Sequence, residues 1–252
     1  MDLGLADQSV LLVGASRGIG LAGAKAFAAE GCRTALMARD AEGLRSAARE
    51  AGAALAVAGD ATREEDAARA VRETLERLGR IDVLVNLVGG SRGDPGIAAP
   101  DSDWDAVLAS NLRAAVRMTR LVEPGMRERG SGAIINVSSI FGREWGGAVS
   151  YNAAKAALIA YTKSCARDLA PAGVRVNSVA PGSVLFPGGS WDRRRRADPE
   201  GIDGFVKREL PLGRFGRPEE VAAAIVFLAS PRASLITGAC LSVDGGQSRS
   251  LF

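Results

Sequence analysis

The sequence contains no histidine, which removes the Ser-His-Asp triad, the Cys-His pair and every histidine-ligated metal site from consideration. Any acid-base chemistry must use another side chain. Cysteine is scarce: Cys32, Cys165 and Cys240 are odd in number and far apart, so neither a disulfide framework nor a clustered metal motif is suggested, and a reducing compartment fits best. No apolar stretch approaches the ~20 residues needed to cross a bilayer, and no signal-peptide pattern precedes the first apolar run. A soluble, cytoplasmic protein with no membrane partner is expected. An excess of one charge is lacking too, because 32 basic against 29 acidic residues leave only +3, too mild and dispersed to imply nucleic acid. The one dense run is Arg193 to Arg196. No polar linker and no internal repeat divides the 252 residues, and 47% hydrophobic with 24% charged is ordinary globular composition, so residues 1–252 read as a single domain.

What is present is alternation. Short β-rich runs occur at Val10 to Val13, Thr34 to Met37, Leu55 to Val57, Ile81 to Val85, Ala133 to Val137, Val174 to Val179 and Cys240 to Val243. Helical patterns lie between them at Leu21 to Ala29, Ala41 to Ala51, Glu64 to Leu78, Trp104 to Arg129, Asn152 to Leu169 and Glu219 to Ala229. Strands that alternate with helices imply parallel pairing, and continuous apolar runs imply strands covered on both faces. The expected fold is α/β: a single-domain Rossmann-type doubly wound parallel sheet of about seven strands flanked by helices, with ligands bound beyond the strands' carboxyl ends. One stretch breaks the rhythm. About residues 183–210, a Gly- and Pro-containing segment leads into four arginines and then Asp198-Pro199, which reads as a partly helical insertion of the kind that forms lids.

The first strand runs into Gly14-Ala15-Ser16-Arg17-Gly18-Ile19-Gly20 and then a helix. Glycines at a strand-to-helix turn permit positive φ and close backbone approach, and the helix's first N–H groups offer an anion site suited to a pyrophosphate. A tight turn that merely packs the helix would explain any one of these glycines but poorly explains all three.

The spacing is G-x-x-x-G-x-G, and with it the sequence resembles the short-chain dehydrogenase/reductase family, particularly members like the 3-oxoacyl-[acyl-carrier-protein] reductases. Asp60, Asn86-Leu87-Val88-Gly89, Asn111, Ser138-Ser139, Tyr151-x-x-x-Lys155, Asn177 and Pro181-Gly182 follow in the family's order over nearly the whole chain. Two departures are Val13, where the family usually has Thr, and Leu87-Val88 within the Asn-Asn-Ala-Gly motif. The resemblance implies a nicotinamide dinucleotide held by Gly14, Ser16, Arg17, Gly18, Ile19, Gly20, Asp60, Ala61, Asn86, Gly89, Pro181, Gly182 and Val184, together with Tyr151 and Lys155. No metal is implied.

By the same resemblance Ala38 occupies the position where NAD-binding members carry an acidic residue for the ribose hydroxyls. Arg39 follows it, and Arg17 can approach the same group, so two arginines favour the 2′-phosphate of NADPH over NAD. The bland alternative is that Asp40 caps the next helix while Arg39 is a solvated charge. Asp60 is expected at the adenine amino group, although an Asp before Ala-Thr also forms turns.

The chain has only two tyrosines. Tyr151 lies four residues before Lys155 on one helical face, where an adjacent ammonium and a bound nicotinamide cation would favour the phenolate of a group whose ordinary pKa is ~10. Tyr151 is then the general acid-base, and the family pattern assigns Lys155 to the ribose hydroxyls as well. Tyr161, followed four residues on by Cys165, is assigned to packing. Ser138 and Ser139 follow the fifth strand at its carboxyl end, and one of them should hold the substrate oxygen. The resemblance implies Ser139, with Ser138 the alternative, and gives Asn111 a proton-relay role through water. A substrate wall is expected from Phe141, Trp145, Phe186 and Trp191.

The expected activity is NADPH-dependent reduction of a ketone, a 3-oxoacyl thioester or a related carbonyl, to a secondary alcohol. The substrate is a small carbonyl or alcohol, free or linked to acyl-carrier protein or CoA; Arg193 to Arg196 could steer such an acidic partner but equally form a solvated face. An NAD-dependent secondary-alcohol or sugar dehydrogenase is the alternative within the enzyme class. A non-catalytic dinucleotide sensor or scaffold is the alternative outside it. The Ile236 to Gly246 tail resembles the family's final strand, which implies a homotetramer.

Overall fold

The computed structural model describes residues 2–251. Its core is one all-parallel sheet of seven strands in the order β3-β2-β1-β4-β5-β6-β7, formed by β1 (Ser9–Val13), β2 (Arg33–Ala38), β3 (Leu55–Ala58), β4 (Val83–Asn86), β5 (Gly132–Val137), β6 (Val174–Pro181) and β7 (Cys240–Val243). β1 explains why both faces are covered. Val10 and Leu12 face one apolar cluster, shared with α1 (Gly18–Ala29), α2 (Ala41–Ala51) and α9 (Pro218–Ala229). Leu11 and Val13 face the other, shared with α3 (Glu64–Leu78), α5 (Ala114–Arg129) and α6 (Val149–Leu169). A period-two strand between two helical layers has no polar face to expose, so all five residues of β1 are buried.

β1 pairs with β2 on one side and β4 on the other, with Val13 opposite both Met37 and Asn86. The chain order therefore reverses at β1, and the loops leaving β1 and β4 diverge to opposite faces. Their divergence opens a crevice at the carboxyl edge of the sheet. All seven expected strands are present. The fourth begins at Val83, two residues later than expected, and just before it the Asp82 carboxylate accepts the Ser9 N–H at 2.9 Å.

The expected Trp104 to Arg129 helix is in fact three pieces: α4 (Asp101–Leu108), a π-helical turn (Ala109–Arg113) and α5. The π turn places Asn111 at its centre, and the Asn111 amide donates to the Val107 carbonyl at 2.9 Å. Such turns free backbone carbonyls that a side chain can satisfy. Residues 183–210 contain α7 (Ser190–Ala197) and α8 (Pro199–Glu209), and α8 starts where Asp198 accepts the Gly201 N–H at 2.9 Å ahead of Pro199. Ile202 and Leu210 of this segment form a small cluster with Phe215 beyond it, and Trp191 and Phe205 pack on it.

Candidate active site

A cleft of about 990 Å³ lies along the carboxyl edge between the β1 and β4 loops. Its floor is the glycine turn. Gly14 takes φ +97, and a Cβ there would lie 3.0 Å from the Leu87 and Val88 backbone. At Gly20 a Cβ would lie 2.3 Å from the Gly14 carbonyl oxygen, so only glycine lets α1 begin this close to β1. The N–H groups of Gly14 and Ala15 donate to the Met37 carbonyl at 2.7 and 3.2 Å, which ties the turn to the end of β2.

Gly14, Ser16, Arg17, Ile19, Gly20, Arg39, Asp60, Ala61 and Gly89 all line this cleft. Asp40 also reaches it, but its carboxylate accepts the Gly43 N–H at 3.1 Å as the cap of α2. Arg39 stays 63% exposed, with Nη1 3.9 Å from Asp60. Asp60 is itself the turn former, accepting the Thr62 N–H at 2.9 Å and its hydroxyl at 2.8 Å. Arg92, in the irregular loop beyond β4, also lines the cleft; the sequence places Ser91 to Pro95 in the substrate wall without marking this arginine for the cofactor.

A polar chain ties the sheet to α6 beneath the cleft. Asn86 donates to Asn136 Oδ1 at 2.9 Å, and Asn136 donates to Thr162 Oγ1 at 2.9 Å. The buried Asn86 oxygen has no partner among the described residues, and the Val13 isopropyl group in register with it offers none. Asn177 braces the crossover to β7, donating to the Ile236 carbonyl at 2.8 Å and accepting the Ala239 N–H at 3.0 Å.

Beyond the sheet edge, four sequence-expected residues converge. Lys155 is 3% exposed and donates to the Val137 carbonyl at 2.8 Å, while its Nζ lies 5.7 Å from the Tyr151 ring centre. Burial without a carboxylate partner pushes the Lys155 ammonium down to about 7. Burial pushes the Tyr151 phenol up, and the Ser139 hydroxyl beside it pulls the other way. Burial by itself thus favours the neutral phenol at Tyr151. Asn111 accepts the Gly90 N–H at 2.9 Å, and a Cβ at Gly89 would lie 2.4 Å from Asn111 Oδ1 and 3.0 Å from Lys155 Nζ. Only glycine at position 89 leaves room for both side chains.

The two serines differ in their bonding. Ser138 donates to the Lys155 carbonyl at 3.1 Å and so anchors α6, whereas Ser139 faces Tyr151 and accepts the Phe141 N–H at 3.2 Å. Pro181 ends β6, and Gly182 and Ser183 are clasped by the tail: Gln247 accepts the Ser183 N–H at 2.7 Å and donates to its hydroxyl at 3.0 Å. Val184 is buried and bridged to Gly216.

The four aromatic residues of the expected substrate wall are scattered. Phe141 packs beside Gly146 and Gly147, and Trp145 is 92% exposed. Phe186 lies over Gly18 and lines the dinucleotide cleft. Trp191 stacks on Phe205 with ring centres 4.5 Å apart and meets Phe215 at 5.2 Å, because the 183–210 segment needs an apolar core of its own.

Residues 14–248 match the family model described as Enoyl-(Acyl carrier protein) reductase. The short-chain reductase protein NovJ of Streptomyces niveus is 37% identical over 252 residues, covering 98% of this chain and 96% of the relative. The 3-oxoacyl-[acyl-carrier-protein] reductase FabG of Thermotoga maritima is 37% identical over 247 residues, covering 96% and 98%. Among solved structures, the L-sorbose reductase of Gluconobacter frateurii, in complex with NADPH and L-sorbose, superposes with a TM-score of 0.94 at 34% identity over 100% of both chains. The chain belongs to the short-chain dehydrogenase/reductase family. It is an NAD(P)-dependent oxidoreductase of that type, acting on a carbonyl or alcohol. No helix among the described residues is long and apolar enough to cross a membrane, and no cluster of candidate metal ligands occurs among them.

Proposed function

We propose that the protein uses NADPH to reduce a ketone to a secondary alcohol, with a 3-oxoacyl thioester or a related carbonyl as substrate. The observation that carries this reading is the grouping of Tyr151, Ser139 and Lys155 next to a cleft that Arg17 and Arg39 line, with Lys155 bonded to Val137 and packed at Gly89, both of which line the cleft. The cleft's size and its glycine floor fit a dinucleotide, and Asp40 is turned to cap α2 while Ala38 and Arg39 end β2 beside the cleft. NADPH in the solved L-sorbose reductase supports the same choice.

Bound nicotinamide supplies the hydride. The chain's own residues hold the proton and the substrate oxygen. Ser139 donates to the ketone oxygen and concentrates positive potential where negative charge develops. Tyr151, held as the neutral phenol by burial, donates its proton to that oxygen, which suits the reductive direction at neutral pH. Lys155 binds the ribose hydroxyls and lowers the cost of the phenolate left behind, and Asn111, fixed by the π turn, positions water for reprotonation. Residues 183–210 form the lid. In the same reading the chain is a homotetramer, supported by the exposed Leu235 and Leu241 at the β7 edge of the sheet.

The purified protein should oxidise NADPH, and NADH at least tenfold less efficiently, in a panel of 3-oxoacyl thioesters linked to CoA or acyl-carrier protein, free ketones and keto sugars. Arg39→Asp should reverse that preference. Faster turnover with NADH in the wild type would instead favour an alcohol or sugar dehydrogenase, and no turnover with either would return the chain to the sensor or scaffold class.

A further inference from the structure

The peptide of Gly188, at φ +71 in the lid, is held on both sides. Its N–H donates to Asp192 Oδ2 at 2.8 Å, and its carbonyl accepts Arg17 Nη1 at 3.2 Å and Arg193 Nη1 at 2.6 Å. Two guanidinium cations thus converge on one neutral oxygen, although Arg17 belongs to the glycine turn and Arg193 to α7. Neither is in an ion pair among the described residues. Asp192, whose charge attracts Arg193, is bonded to the Gly188 N–H and paired with Arg196 at 3.0 Å.

Like charges that share one carbonyl repel each other, and the dipole offsets this only in part. An anion with several acceptor oxygens removes the repulsion and gives each planar fork a charge-assisted hydrogen bond, which describes a phosphate group. The surroundings point to where that phosphate comes from. Arg17 and Phe186 both line the dinucleotide cleft, and the Phe186 ring lies over Gly18 at the start of α1, so this stretch of the lid reaches the phosphate end of the cleft.

We propose that Arg193 is a cofactor-recognition residue: together with Arg17 it grips a phosphate of the bound dinucleotide, so that the lid docks on the cofactor through its own arginine. The proposal rests on the NADPH reading above. The 2′-phosphate and the diphosphate bridge share the required chemistry, and binding measurements separate them.

Wild type, Arg193→Ala, Arg193→Lys and Arg195→Ala would be titrated with NADPH and NADH, following nicotinamide fluorescence. Arg195 is on the same helix and is exposed, so it controls for loss of one lid charge. Arg193→Ala should raise the NADPH Kd about tenfold or more, the effect of losing one hydrogen bond to a charged group. Arg193→Lys should fall between, keeping the charge but losing the fork, and Arg195→Ala should stay within about twofold of wild type, given the weak pull of a solvated charge. An effect confined to NADPH identifies the 2′-phosphate, and an equal loss for NADH identifies the diphosphate. If Arg193→Ala leaves both affinities unchanged, or Arg195→Ala matches it, the clamp is wrong. Wild type that binds neither dinucleotide would instead sink the NADPH reading itself. Arg193 is exposed, so an unchanged thermal midpoint should confirm that each variant is folded.

Discussion

The two halves of α6 carry the same residue types in opposite circumstances. Near its start Tyr151 faces Ser139 and Lys155 at the sheet's carboxyl edge, and Lys155 is buried with no acid beside it. Further along, Tyr161 is pushed up by burial beside Cys165, while Lys163 is exposed and reaches only the Gly238 carbonyl at 3.3 Å. Both phenols are raised, so a raised pKa alone does not mark a catalytic tyrosine. What distinguishes Tyr151 is the Ser139 hydroxyl poised beside it and a titratable lysine within reach.

The largest expected effect breaks this contrast directly. Tyr151→Phe should cut turnover by about 10²–10⁴-fold, the usual worth of a positioned acid-base, while dinucleotide binding persists. Tyr161→Phe should keep turnover and change folding stability by no more than about 1 kcal/mol, since it deletes one buried hydroxyl. Steady-state rates and denaturant unfolding of both variants would show it; comparable rate losses would abolish the distinction between the two halves.

The adjacent serines give a smaller, sharper version. Ser139→Ala should lose about 10²–10³-fold in kcat, as when one oxyanion donor is removed. Ser138→Ala should cost about 1 kcal/mol of stability by releasing the Lys155 carbonyl, with a much milder kinetic effect. Equal kinetic losses would leave Ser138 as a substrate ligand.

The smallest effect is thermodynamic. Lys155 falls from an ordinary 10.5 to about 7 in the folded protein, so between those values the unfolded chain holds more protons and stability rises with pH. Cys32, raised from 9.0 to about 12, acts in the opposite sense above pH 9. Unfolding free energy should therefore climb by about 1–2 kcal/mol between pH 7 and 9, and Lys155→Met should flatten the climb. A flat wild-type profile would mean that Lys155 keeps its proton throughout.

Most of the sheet was legible because a strand covered on both faces carries a continuous apolar run, such as Val10 to Val13 in β1 and Val83 to Val85 in β4. The Tyr151–Lys155 pair was legible for a related reason: helical spacing brings residues four apart onto one face. The π turn at Asn111 was not, since a one-residue irregularity barely disturbs a helical pattern and its carbonyl is satisfied by a side chain. Trp191 was misplaced because an aromatic in an irregular segment looks alike whether it faces a ligand or a local core.

The sequence by itself determined the class of fold, the glycine floor and the placing of Tyr151 and Lys155 on one helical face, since each depends on local periodicity or on a conformation only glycine tolerates. Tertiary structure alone decided which serine faces Tyr151, how far burial weakens Lys155, and that Arg17 and Arg193 meet at Gly188. Those outcomes depend on distances between segments far apart in the chain and on the solvent that packing excludes, and neither is written in the spacing of residues along it.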